Sequence, residues 1–142
     1  MSPKLVTLET AERPPWRLRP PALLAMGLAW PLARCSPYRL RRLLEIFSRG
    51  ARPATEHEAE RARGAVVGMG IRLAGPRCLE RSIATALLCR LSGGWPEWCT
   101  GVSTHPFEAH AWVEVNGKPI GENPAEIAHF FVTMKVAVHD AR

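Results

Sequence analysis

Apolar positions recur at two different spacings along this chain, and the switch from one to the other divides it. Ala22 to Ala33 is rich in Ala and Leu and reads as a short apolar helix with Pro31 near its end. Ser36-Pro37 supplies a cap and first turn for a second helix running to about Phe47. In it Leu40, Leu43, Leu44 and Phe47 form a stripe at steps of three and four, while Arg39, Arg41, Arg42 and Arg49 lie mostly elsewhere. Gly50 and Pro53 end it. Thr55 with Glu58 three residues later is a capping-box pattern, opening a third helix that extends to about Leu73 and is weakened by Gly64, Gly68 and Gly70. Gly75-Pro76 then breaks the chain. From Cys78, the positions Leu79, Ile83, Ala86, Leu87 and Leu91 predict a fourth, buried helix that stops at Gly93-Gly94.

Past that point the period falls to two. Trp95 to Val102 reads as a strand, and Ala109 to Val115 alternates and is rich in Val and Trp. Asn116-Gly117 is the strongest hairpin signal in the sequence, Ile120 continues the return strand, and Phe130 to Val138 is a further β-rich run. Helices first and sheet second argue an α+β fold. Residues 1–21 are Pro-rich and charged and are expected to form an extended arm. Residues 22–142 then make a single domain, with a basic helical region over 22–74 and the chemistry over 75–142.

Length and charge narrow the function classes. A chain of 142 residues has room for one domain. No apolar run reaches the roughly 20 residues of a membrane span. The net charge of +6 would suggest nucleic acid, but the first 52 residues carry 10 basic and 3 acidic side chains and the rest 9 and 10. The later part is thus near neutral, and its basic residues are not interleaved with aromatics, which argues against nucleic-acid binding. The Arg-rich second helix reads first as a solvated face, and its stripe beside Arg39, Arg41 and Arg42 as a candidate docking face. Four cysteines, Cys35, Cys78, Cys89 and Cys99, are too few and too scattered for a disulfide scaffold. No Cys-x-x-Cys pair or zinc-finger His spacing exists. Ala22 to Trp30 starts late, is broken by prolines and lacks a cleavage site for a secretory signal, so the expectation is reduced thiols in a cytoplasmic protein.

Cys78 stands out by position. It opens a predicted helix, where unpaired N–H groups and the helix dipole favour a thiolate, and Arg77 and Arg81 add positive charge. A lone Cys before an apolar helix is more often a small buried hydrophobe, so it needs a partner. Cys89, in the middle of the same helix, has no such activation, and Cys35 and Cys99 lack it too. The partner is His110, which opens the alternating segment and shares a strand face with Trp112 and Glu114. A helix-borne Cys and a strand-borne His can meet if the helix packs across the sheet, the Cys–His pairing of nucleophilic catalysis. Of the other histidines, His105 is the serious competitor, and His57, His129 and His139 have weaker settings.

A third residue should orient the imidazole. Glu114 lies four residues along the strand, roughly 13 Å from His110, which is too far. An ideal two-residue Asn116-Gly117 turn would pair 110 with 123 and put Asn123 on the His face. A bulged three-residue loop would turn Glu122 there, and Pro119, with no N–H to donate, argues against the clean register. The hairpin alone leaves both open.

Cys78-Leu79-Glu80-Arg81-Ser82, Gly94-Trp95-Pro96, Gly101-Val102, Pro106-Phe107, Ala109-His110-Ala111-Trp112-Val113-Glu114 and Gly121-Glu122 together resemble the stand-alone leader peptidases of lasso-peptide biosynthesis. Those are small cysteine proteases with a transglutaminase-like, papain-like core. The match spans roughly residues 76–122, with looser similarity upstream. The resemblance implies a triad of Cys78 as nucleophile, His110 as base and then acid, and Glu122 as orienting group where some members have Asp. It thereby favours the bulged register. It also implies no cofactor, a precursor peptide as substrate, a separate leader-recognition protein and an ATP-dependent cyclase as partners. The basic N-terminal third is where that partner contact is expected. The same triad would serve an amidase or acyltransferase acting on a side-chain amide, and a packed, neutral Cys78 would suit a non-enzymatic adaptor.

Overall fold

Pro20 and Pro21 begin the first helix instead of delaying it. The computed structural model describes residues 15–69 and 78–138; the first part of the Pro-rich arm, the Gly75-Pro76 break, the end of the third helix and His139 lie outside them. Helix α1, Arg19–Leu32, carries both prolines in its first turn, where a missing N–H costs no hydrogen bond, so it starts three residues before the Ala22 expected from the apolar run. Its buried positions are Ala22, Ala25, Ala29 and Leu32, and the three alanines let it lie close against the fourth helix.

Helix α2, Pro37–Ser48, is capped by Ser36, whose Oγ accepts the Arg39 N–H at 3.4 Å. Its stripe is not a docking face. Leu40 and Leu44 are buried in the main core, and Leu43 and Phe47 pack against it, so the apolar spacing is satisfied internally. A short strand β1, Arg52–Pro53, leads into helix α3, Glu56–Met69. Thr55 Oγ1 accepts the Glu58 N–H at 3.1 Å, and Arg52 grips the Glu58 carboxylate through two bonds of 2.8 and 3.0 Å. β1 pairs in parallel with β2, Gly94–Trp95.

Helix α4, Cys78–Leu91, is the centre of the molecule: every residue from Ser82 to Cys89 is buried. α1 and α3 pack against it on one side and the sheet on the other. The sheet consists of β3, Glu97–Thr104; β4, Phe107–Val115; β5, Lys118–Pro119; and β6, Phe131–Val136. Their spatial order is β5-β4-β3-β6, antiparallel throughout. The architecture is therefore α+β, with the four long helices laid on one face of a small antiparallel sheet. Trp98, Val113, Val115 and Val136 face the helices and join the main core. Cys99 and Trp112 face the other way and form a second, smaller cluster with Ile127 and Phe130. Ile127 belongs to a short helix, α5, Pro124–Ile127, opened by Asn123 as cap and Pro124 in its first turn.

Trp98 locks sheet to helix. It is fully buried, and its indole N–H donates to Ser82 Oγ at 3.0 Å, while Ser82 in turn donates to the Leu79 carbonyl at 2.9 Å. Trp98→Phe keeps most of the apolar contact but leaves a hole and removes that bond. The expected cost is about 1–3 kcal/mol in urea denaturation. An unchanged unfolding midpoint would show that the indole–Ser82 link contributes nothing to stability.

Candidate active site

The β4–β5 hairpin decides which residue meets His110. Asn116 and Gly117 have φ of 53° and 76°, the pair of left-handed residues that makes a two-residue type I′ turn. Val115 pairs with Lys118, Glu114 with Pro119, and the Ile120 N–H reaches the Val113 carbonyl at 2.9 Å. The ideal register holds, and the bulged loop favoured by the resemblance is corrected. Pro119 fits because, in this alternation, its nitrogen points away from β4, where no ladder bond is needed.

Continued unbroken, that register would bring Asn123 to His110. It is broken at Gly121, whose φ of 66° turns the chain out of the extended conformation. A Cβ at this position would run into the Arg63 guanidinium. The turn swings Glu122 towards the strand, and its Oε1 lies 3.1 Å from His110 Nε2. Asn123 is used elsewhere: its Oδ1 accepts the Ala125 N–H at 3.0 Å and caps α5.

Cys78 is half-buried at the first described turn of α4. Burial pushes its thiol up. Hydrogen bonds from the His110 ring and the Ala111 backbone N–H, with the charges of His110 and Arg81, more than offset this and hold it below its ordinary value of 9.0. His110 shows the reciprocal effect. Burial disfavours its cation, but bonds to Cys78 and Glu122, and their charges, raise it from 6.5 to about 9. With Nε2 on Glu122, Nδ1 is the nitrogen left for the thiol. The structure thus brings Cys78, His110 and Glu122 together in sequence around one imidazole.

Two further features have no signal in the sequence. The motif marks Arg81 only as charge near the thiol. It stands one helical turn past Cys78, and its Nη2 is also 3.7 Å from the Glu122 Oε1 that faces His110, with the Arg81 side chain only 11% exposed. The His110 ring is also clamped: Trp112 stacks on it at 5.8 Å between centroids, tilted by 17°, and Phe130 lies at 5.6 Å. Phe130 is 20 residues away in sequence, and no local pattern announces it. Gly101, directly opposite His110 on β3, makes room for the clamp, since a Cβ there would stand 2.9 Å from the Trp112 ring and 2.8 Å from the Phe131 carbonyl.

The remaining candidates lie elsewhere. Burial pushes Cys89 and Cys99 up to about 12. The Cys35 thiol rests on the Pro31 carbonyl at 3.5 Å. Glu114 accepts the Trp112 indole N–H at 2.9 Å and lies 3.5 Å from Lys135. His105 is exposed in the β3–β4 turn with a ring nitrogen on the Thr104 carbonyl, and His57 and His129 are exposed on other elements. Among the described residues no cluster of His, Cys, Asp and Glu is placed to hold a metal ion.

The family model of the transglutaminase-like superfamily matches residues 22–135. The chain belongs to the transglutaminase-like superfamily. Members of this superfamily are generally cysteine-dependent enzymes and include proteases and acyltransferases. No curated protein and no solved structure matches. In this transglutaminase-like chain no described helix is long and apolar enough to cross a membrane.

The Cys78–His110 pair has a measurable signature. Alkylation of Cys78 by iodoacetamide is expected to rise with a midpoint below 9.0, while Cys89 and Cys99 stay unmodified in the folded protein. Glu122→Gln removes the anion that supports the imidazolium. The His110 pKa then falls from about 9 and the Cys78 midpoint rises, because each ion has lost support from the other. A wild-type midpoint at or above 9.0 would overturn the ion-pair description. Gly121→Ala is expected to produce the same pair of shifts with the carboxylate still present, because Ala disfavours the left-handed turn and meets Arg63. Unchanged titration in that variant would separate Glu122 placement from the Gly121 turn.

Proposed function

We propose that this chain is a cysteine peptidase that removes the leader from a ribosomally made lasso-peptide precursor before ring closure. The observation that carries the reading is His110 held between Cys78 and Glu122, its Nε2 3.1 Å from the carboxylate. The motif resemblance around Cys78, Ala109 to Glu114 and Gly121-Glu122 supports the substrate class.

In this reading the Cys78 thiolate attacks the scissile carbonyl carbon, forming a C–S bond. The developing oxyanion faces backbone N–H groups beside Cys78. His110, as imidazolium, gives its proton to the amine as the C–N bond breaks, and the core peptide leaves. Water then attacks the thioester, His110 takes a proton from it, and the leader departs as a carboxylic acid, restoring the thiolate–imidazolium pair. Glu122 keeps the ring in orientation and stabilises its cation throughout. No step requires a metal or organic cofactor. A separate leader-recognition protein would hold the precursor and raise its local concentration, and an ATP-dependent cyclase would use the freed core.

The test is incubation with a precursor peptide and its recognition protein, followed by mass spectrometry. Two fragments summing to the precursor plus one water are expected, with activity unaffected by EDTA. Cys78→Ala abolishes cleavage and Cys89→Ala retains it. A single chain of altered mass would replace the peptidase reading with a side-chain amidase or acyltransferase on the same three residues. Substantial cleavage by the Cys78 variant would remove the nucleophile assignment altogether.

A further inference from the structure

The return strand covers β4 only as far as Val113, where Ile120 makes the last bond of the hairpin. Beyond it, Ala111 turns its N–H outward onto the Cys78 sulfur. Strand alternation makes Ala109 present its own N–H and C=O on that same side, two residues and about 7 Å further along. Among the described residues no strand pairs with this stretch of the β4 edge. An extended peptide laid along it would run directly past the thiol, and every second side chain would project onto the helix-facing side of the sheet.

That side is apolar where the peptide would land. Register places Ala109 opposite Val102 and Val102 opposite Phe131, with Phe107 next to Ala109 on the same face. Further along this face Ala111, Val113 and Val115 are buried, but here Phe107 is 74% and Phe131 69% exposed. Isolated exposed apolar residues are ordinary. These four are contiguous by register and adjoin the candidate nucleophile. We propose that they form a shelf receiving an apolar side chain of the substrate next to the bond that is broken, the peptide pairing with the Ala109 edge. The proposal rests on Cys78 as the nucleophile, and its occupant is the substrate itself, because a chain reaching the thiol along this edge must set alternate side chains there.

The test uses the full chain and two thiol reagents, iodoacetamide and N-benzyl iodoacetamide, with Cys78 modification followed by peptide mapping and glutathione as reference. The benzyl reagent is expected to gain roughly tenfold over iodoacetamide at Cys78 relative to glutathione, the effect of partly burying a phenyl ring. Phe107→Ser/Phe131→Ser should bring that ratio back towards the glutathione value. The single variant Phe107→Ser, at an exposed site of low folding cost, should give an intermediate ratio. A wild-type ratio equal to that of glutathione, or one unmoved by both variants, overturns the shelf and leaves the nucleophile standing. If neither reagent prefers Cys78 to the other thiols, the nucleophile reading falls and the shelf with it.

Discussion

One imidazole holds the site together. His110 has a carboxylate on Nε2 and a thiol on its other side, and each neighbour favours the charged ring that burial alone would discharge. The thiol gains the reverse benefit: it is half-buried, yet titrates below its ordinary value because a cation and a backbone N–H face it. Neither group would be displaced this way alone. Cys89 and Cys99, buried without such partners, are driven in the opposite direction to about 12. The contrast between three thiols in one small chain isolates the cause, which is the neighbour and not the depth.

That neighbour relation depends on fixing a helix end against a strand edge. α4 is buried from Ser82 to Cys89, so its axis is set by packing on both sides. Its first turns are tied to the sheet by the Trp98–Ser82–Leu79 chain of hydrogen bonds. β4 arrives from the other direction with Trp112 and Phe130 against the imidazole, and Gly101 leaves the volume those rings occupy. The chemistry is thus held by elements whose own conformations are determined by the core, which is the condition for orientation to persist without substrate.

The legible part of the fold is the part written in periodicity. The α2 cap at Ser36, the Thr55–Glu58 box and the Asn116-Gly117 turn all act through neighbours within four residues, and all stand where the sequence pattern places them. The helix period also marks the α2 stripe, but it does not say whether the stripe faces a partner or the chain's own core. Relations across the chain are less accessible. Strand parity chooses between Asn123 and Glu122 only if the strand is unbroken, and one left-handed glycine at 121 reverses the choice. Pro119 argues against a register that it tolerates, since the sequence does not reveal which way its nitrogen points. The Phe130 clamp and the Arg81 contact with Glu122 depend on three-dimensional approach between separate elements, for which no spacing rule exists.

Arg81, Glu122, His110 and Cys78 form a row in which the sign of charge alternates. Arg81 lies 3.7 Å and His110 3.1 Å from the same Glu122 oxygen. Four ions summing to zero can occupy a partly buried site where an unbalanced charge would be costly. The balance also has a direction in the proposed cycle. Formation of the C–S bond turns the thiolate into a neutral sulfur and withdraws one of the two anions that hold the His110 proton. The imidazolium therefore becomes a stronger acid at the step that requires a proton for the departing amine. Hydrolysis restores the thiolate, and with it the affinity of His110 for the proton taken from water. The same interaction that activates the thiol in the resting state thus times the proton transfer that follows, and Arg81, 3.7 Å from Glu122, stays beside that carboxylate while the other anion comes and goes.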